Sequence, residues 1–184
     1  NSSSESIGPV FVLEKRGDQL GFTMLDSIDS TQKEMVPRPG IGGTQEGVES
    51  EIAAALVQHG LFPKEASAMV KTWANAWFED GTRIFYIMPR SITDAVLPMN
   101  LRPAPDDLVR VMVARTDVMT PEILSEMRAA FYEALVRDSV PEDSLAVVRR
   151  YRRFAEPILL RALGESVPRD RIQSLIAACD AQPR

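Results

Sequence analysis

Two adjacent acids, Glu79 and Asp80, precede two arginines, Arg83 and Arg90, at a point where a helical pattern turns into a strand pattern. A carboxylate can act as a general base, and an arginine beside it can hold an anionic substrate. These residue types could therefore form a hydrolase-like site or a site for a small anionic ligand. The candidate residues are Glu79 and Asp80 for catalysis, and Arg83, Arg90 and Arg110 for anion binding.

A structural role explains the same acids. Acids at the C-terminal end of a helix are unfavourable by roughly 0.3–1 kcal/mol each, because the helix dipole is negative there. Glu79 would then need a cation, which Arg83 could supply from four residues along, or Arg110 or Arg115 from a neighbouring strand. A bidentate clasp between arginine and carboxylate would fix the turn from helix to strand. We expect the clasp, with the ligand site as the alternative.

The two tryptophans also have two interpretations. Trp73 and Trp77 stand four residues apart on a predicted helix, on a stripe with Met69 and Val70. Side chains at this spacing share one face, and a pair of indoles buries a large apolar area. We expect both tryptophans in the core. The alternative is an aromatic floor of a sugar- or peptide-binding groove.

Other reactive groups are scarce. The chain has one histidine, His59, at a predicted helix end, and one cysteine, Cys179, on an apolar stripe. This composition disfavours a zinc site and a disulfide, and no Gly-x-Ser-x-Gly motif accompanies His59. The "GIGG" segment lacks the Lys-Ser/Thr of a phosphate-binding loop. We expect no metal and no cofactor.

Two short charged motifs fit structural roles. Arg16-Gly17-Asp18 is also a cell-adhesion tripeptide, but a hairpin turn explains its glycine. The "RRYRRF" segment, 149–154, fits a solvated helix face with an Arg152–Glu156 ion pair. The alternative for this segment is an anion-binding patch that faces an acidic protein partner.

Size and charge bound the class of protein. The 184 residues carry a net charge of −5 and contain no apolar run of the ~18 residues that span a membrane. An acidic chain is a poor partner for nucleic acid, because phosphate binding needs a basic surface. The chain begins at Asn1 with a polar run, which suggests the C-terminal part of a longer protein, cytoplasmic or exported after removal of an N-terminal segment.

The pattern along the chain predicts an α+β fold. We expect residues 1–8 to form a disordered tail and residues 9–184 a single domain. Within this domain we expect the loop 26–47 to be either mobile or an extended crossing, and a lid over a site is the less favoured alternative. The predicted sheet is small and mostly antiparallel: an N-terminal hairpin plus two central strands, "TRIFYIM" and "LVRVMVARTDV". About five helices pack on it, and the last third is helical, including one long helix from Pro141 kinked at Pro157.

The chain from about residue 10 to 162 resembles uncharacterised bacterial proteins. The similarity lies in an EA-x-AMV-x-TW segment, a WF-E-x-G-x-R segment, a Tyr-x-x-Pro strand and an R-V-x-V-x-R strand. The matching residues are Glu65, Ala66, Met69, Trp73, Trp77, Phe78, Glu79, Gly81, Arg83, Tyr86, Pro89, Arg110 and Arg115. The resemblance implies one coherent domain and no particular activity, cofactor or catalytic residue.

Two functions follow from these patterns. The favoured one is a noncatalytic interaction or structural domain of a larger bacterial protein, with a protein partner. The alternative is an enzyme or ligand-binding domain that works with carboxylates and arginines near Glu79, Asp80 and Arg90. Arginines paired one to one with acids would favour the first, and a deep polar pocket beside Glu79 would favour the second.

Overall fold

A computed structural model describes residues 1–136, 140–151, 154–164 and 167–180. Where the sequence suggests a single domain over 9–184, the backbone contacts group the chain into two compact units, Asn1–Val118 and Met119–Arg184. Each unit has its own cluster of buried apolar side chains. The first unit contains the sheet and the second is helical.

The first unit contains a four-stranded antiparallel sheet with the strand order β2-β1-β3-β4. The strands are β1 (Val10–Arg16), β2 (Gln19–Leu25), β3 (Gly81–Ile87) and β4 (Val113–Val118). The predicted α+β class, the N-terminal hairpin and the antiparallel pairing of the "TRIFYIM" strand with the following strand are confirmed.

Two helices, α1 (Gln45–Gln58) and α2 (Pro63–Trp77), contribute to the hydrophobic core on one face of this sheet. Thr44 begins α1 by accepting a hydrogen bond from the amide of Gly47 at 3.1 Å, and Gly60, with φ at 101°, follows its end. The short α3 (Arg90–Val96) comes directly after β3. The buried apolar residues that the sheet contributes on this face are Phe11, Leu13, Leu20, Phe85 and Ile87.

The predicted strand "LVRVMVARTDV" is too long at its start. β4 begins only at Val113, and it lies at one end of the sheet rather than in its centre. The physical reason is the surroundings of Arg110 and Val109. The guanidinium of Arg110 bonds to α3 and the turn after it, and Val109 packs against Gly60, so residues 108–111 follow the helices instead of β3.

The opposite, outer face of the sheet is covered by irregular chain. Residues 26–41, which we call the strap, cross this face without forming a helix or a regular strand. The crossing is close, because a Cβ on Gly21 would clash with the carbonyl oxygen of Gly40. Residues 1–8, expected as a disordered tail, instead run beside the start of the strap, where Ile7 forms a β-bridge with Ile28.

The second unit comprises α4 (Pro121–Val136), α5 (Glu142–Arg150), α6 (Ala155–Leu163) and α7 (Arg169–Asp180). The single long helix kinked at Pro157 is wrong. The chain leaves the helix after Arg150, and Pro157 lies in the first turn of α6, where a proline costs no helical hydrogen bond. The predicted Arg152–Glu156 pair lies outside the described residues.

Candidate functional site

Arg83 caps the C-terminal end of α2. Its side chain is only 2% exposed, and its guanidinium donates to the main-chain carbonyl oxygens of Trp77 and Asp80, both at 2.8 Å, and to that of Glu79. These carbonyl groups would otherwise lack partners where the helix ends. A buried cation at the negative pole of the helix therefore offsets the acids that follow it.

Arg115, on β4, provides the partner that Glu79 needs. Its Nη2 lies 3.0 Å from Glu79 Oε2 and 2.9 Å from Asp117 Oδ1, and its Nη1 donates to the carbonyl oxygen of Ala76. Asp117 also lies opposite Arg83 in the sheet register, with Oδ1 3.2 Å from Arg83 Nε. Glu79, Arg83, Arg115 and Asp117 form one closed group, which we call the guanidinium cluster.

Charges balance within the guanidinium cluster, because two arginines face two carboxylates. Burial, together with the nearby charge of Arg115, lowers the pKa of Arg83 from its usual value. Burial also acts to lower the pKa of Arg115, but the hydrogen bonds and charges of Asp117 and Glu79 outweigh it and raise that pKa. Among the described residues, no buried side-chain nitrogen or oxygen lacks a hydrogen-bond partner.

Asp80 serves the hairpin turn. Its Oδ1 accepts a hydrogen bond from the amide of Gly17 at 3.1 Å, which ties the end of α2 to the β1–β2 turn. In the same turn, Arg16 Nη2 pairs with Glu14 Oε1 at 2.6 Å. Arg16 and Gly17 of the Arg-Gly-Asp tripeptide therefore have structural partners, as the hairpin interpretation predicts.

Arg90 and Arg110 bond to a different carboxylate. Arg90 Nε and Arg110 Nη1 each lie 2.6 Å from an oxygen of Asp94 on α3. A second nitrogen of each arginine donates to a carbonyl oxygen, Arg90 Nη1 to that of Leu108 and Arg110 Nη2 to that of Leu97, both at 2.6 Å. The hydrogen bond from Arg90, and then the charges of both arginines, lower the pKa of Asp94. The structure therefore divides the predicted site residues between two groups.

The two tryptophans differ in burial. Trp77 is 6% exposed, and its ring centroid lies 5.6 Å from that of Phe85, as expected of a core residue. The prediction for Trp73 is wrong, because this side chain is 50% exposed. Helical spacing gives the direction in which a side chain points, but not how far neighbouring elements extend over it. Phe62, before the same helix, is 74% exposed.

The lone histidine and cysteine have structural surroundings. His59 Nδ1 lies 2.8 Å from the carbonyl oxygen of Ala55 at the end of α1. Cys179 is buried in the second unit, and burial raises the pKa of its thiol, which disfavours the reactive thiolate. Across the described ranges, no three His, Cys, Asp or Glu residues converge in a way that could hold a metal ion.

A cavity of about 400 Å³, which the sequence patterns did not predict, lies on the outer face of the sheet. The sequence contained one signal for this cavity: β1 and β3 are apolar on both faces. The second apolar face must therefore be covered by another part of the chain or by a ligand. The lining residues are Asn1, Ser2, Ser3, Ile7, Val10, Val12, Ile28, Glu34, Val36, Ile84, Tyr86, Met88, Ile92 and Thr116.

Comparison with protein-family models, curated proteins and solved structures finds no match to this chain. Within the part of the chain that the structure describes, none of the helices is both long and apolar enough to traverse a lipid bilayer.

Proposed function

We propose that the chain is a noncatalytic interaction or structural domain of a larger bacterial protein, in which Glu79 and Asp80 serve the fold. One observation carries the proposal: the guanidinium cluster is closed. Arg83 and Arg115 direct their nitrogens at two carboxylates and at the carbonyl groups that end α2.

A closed cluster is poorly suited to chemistry or to anion binding. A general base must reach the proton of its substrate, and an anion site must offer N–H groups that face the ligand. Arg83 is 2% exposed, and the carboxylate of Glu79 is engaged by Arg115 at 3.0 Å. Removing one partner from a buried ion pair leaves an uncompensated charge and strongly destabilises a protein. A structural role for the guanidinium cluster predicts such a loss of stability.

Exposed aromatic side chains support the interaction part of the proposal. Phe62 and Trp73 lie at the start and along the length of α2, and both are at least half exposed. Aromatic residues are enriched in the cores of protein–protein interfaces and are uncommon on surfaces that contact only water. A protein partner with an apolar contact surface fits these residues better than nucleic acid, given the net charge of −5.

The alternative, a carboxylate and arginine site near Glu79, Asp80 and Arg90, makes an opposite prediction about anions. The test is thermal unfolding in increasing phosphate, sulfate and acetate, at constant ionic strength set with chloride. We expect no saturable stabilisation, in the wild type or in an Arg115→Gln variant. Saturable stabilisation by one anion that is lost in Arg115→Gln or in Arg90→Gln, and kept in Arg161→Gln at an exposed position of α6, would overturn the proposal.

A second readout uses stability. Active-site groups are commonly held in arrangements that cost stability, so that replacing one of them stabilises the fold. A structural Glu79 predicts the reverse, a lower melting temperature for Glu79→Gln. A higher melting temperature in this variant contradicts the noncatalytic role.

A further inference from the structure

We propose that the cavity on the outer face of the sheet binds a small molecule with an aliphatic or aromatic body and a hydroxyl or protonated amine head. This site is separate from the guanidinium cluster, and the inference goes beyond the proposed function. It rests on the composition of the floor, the support of the walls, the volume, and the polar groups that remain available.

The floor is a continuous apolar patch built by two central strands. Val10 lies opposite Tyr86 and Val12 opposite Ile84 in the β1–β3 register. Directly opposed residues share a face of the sheet, so these four side chains are neighbours. All four line the cavity. The floor therefore belongs to the most regular part of the first unit.

The walls are irregular chain, but hydrogen bonds hold them in place. Asn1 Nδ2 donates to the carbonyl oxygen of Ile28 at 2.8 Å, and Ser6 Oγ to Asp29 Oδ1 at 2.8 Å. The strap is anchored further along, where Arg38 pairs with the buried carboxylate of Glu14. The cavity is therefore shaped before any ligand arrives, which reduces the ordering cost of binding.

Its volume suits a ligand. Ligand pockets typically measure ~300–1,000 Å³ and are mostly apolar with a few polar groups. The cavity measures about 400 Å³, and eight of its lining residues are Val, Ile or Met: Ile7, Val10, Val12, Ile28, Val36, Ile84, Met88 and Ile92.

The polar lining residues define the head of the ligand. The hydroxyl groups of Tyr86 and Thr116 make no hydrogen bond with another described residue, so each can bond to a ligand. Glu34 carries the charged side chain of the lining, and it is exposed to solvent. A carboxylate there attracts a protonated amine and repels an anionic head. The chemistry therefore favours cationic or neutral amphiphiles over fatty acids.

The test begins with a fluorescent apolar probe, N-phenyl-1-naphthylamine, and two competitors with the same aliphatic chain, decylamine and decanoate. We expect saturable probe fluorescence with the wild-type protein and stronger displacement by decylamine than by decanoate at neutral pH. Absence of saturable probe binding would overturn the site, and stronger displacement by decanoate would overturn the assignment of the head.

Variants locate the binding. Ile84→Phe on the floor and Thr116→Trp at the edge should each reduce probe binding at least about tenfold, because each fills the cavity. Val96→Phe adds a similar ring at an exposed position and should leave binding unchanged. Phe62→Ser removes an exposed aromatic residue elsewhere and should also leave it unchanged. Circular dichroism and melting temperature identify a variant that fails to fold.

The charge of Glu34 has its own control. Glu34→Gln should weaken decylamine binding by about two- to fivefold, the effect of losing an exposed ion pair, and should not weaken decanoate binding. Glu51→Gln on the exposed side of α1 should change neither. Probe binding that persists at full strength in both folded cavity variants would show that the probe binds elsewhere and would contradict the proposal.

Discussion

Arg115 Nη2 lies 3.0 Å from Glu79 Oε2, so the acid that follows α2 is neutralised from the last strand of the sheet. Arg83, four residues along, instead bonds to the carbonyl oxygen of Glu79 and to those of its neighbours. The end of the helix is therefore joined to β3 and β4 by two cations with different tasks, one for the main chain and one for the side chain.

Glu79 and Arg115 should be energetically coupled. In a double-mutant cycle of Glu79→Gln and Arg115→Gln, each single change should lower the free energy of unfolding, and the pair should cost less than the sum by about 1 kcal/mol or more. Glu79→Gln combined with Arg110→Gln is the control and should be additive, because Arg110 bonds to Asp94. Urea unfolding measures both cycles. Equal coupling energies in the two cycles would show that Glu79 does not pair specifically with Arg115.

Arg83 should be the most sensitive residue of the guanidinium cluster. Arg83→Met keeps most of the apolar stem but leaves the carbonyl groups at the end of α2 without their donor, and should cost about 3–5 kcal/mol. Arg83→Lys should restore little, because an ammonium group lacks the planar set of donors. Arg90→Met, at a more exposed ion pair, should cost about 1 kcal/mol or less. Equal losses at Arg83 and Arg90 would contradict this ranking.

The tryptophans should be distinguishable by fluorescence. Trp73→Phe leaves Trp77 as the emitter, with blue-shifted emission that acrylamide quenches poorly, whereas Trp77→Phe leaves the half-exposed Trp73, which acrylamide quenches well. Trp77→Ala should destabilise by about 3–5 kcal/mol and Trp73→Ala by about 1 kcal/mol or less. Similar quenching of both single-tryptophan proteins would contradict the difference in burial.

Asp94 should contribute stability above its unfolded pKa. Its pKa is lowered in the folded chain by Arg90 and Arg110, so its contribution is present above about pH 3.9 and is lost as the pH falls through the folded pKa. The difference in melting temperature between wild type and Asp94→Asn should therefore shrink between pH 6 and pH 3. A difference that stays constant over this range would contradict the prediction.

Glu14 should hold the strap. Its carboxylate is 2% exposed and pairs with Arg38 and Arg16. Glu14→Gln should therefore speed amide hydrogen exchange in residues 26–41 by at least about tenfold, while exchange in α1 stays unchanged. Glu46→Gln, at the start of α1, is the matched control. Unchanged exchange in the strap of the Glu14 variant would show that other contacts hold it.

The fold class could be predicted because it depends on local periodicity. The apolar runs of β1 and β3 and the three-to-four spacing in α1 and α2 correspond to strands and helices of the structure. The extent of β4 could not be predicted in this way. Its start depends on Arg110, whose partner Asp94 belongs to another element, and no pattern within "LVRVMV" records that contact.

The sequence predicted that Glu79 needs a cation, but it did not predict which arginine supplies the charge. The helix dipole indicates that Glu79 requires a cation, and that requirement is met. The choice of Arg115 depends on the register of β4, which sets Arg115 opposite Phe85 and Asp117 opposite Arg83. The path of the strap was harder still to predict from the sequence, because the close approach of Gly40 to Gly21 brings together segments that share no sequence pattern.

The strand order has a consequence for the kinetics of folding. The β1–β2 hairpin and the α1–α2 pair join neighbouring segments, whereas Val10 reaches its β3 partner Tyr86 only after the loop that contains both helices has closed. Such non-local pairing is slow, because loop-closure entropy is lost before any contact is gained. The cavity floor consists of β1 and β3, so an intermediate that holds only the local hairpins has no binding surface. The appearance of probe fluorescence during refolding would therefore time the β1–β3 pairing.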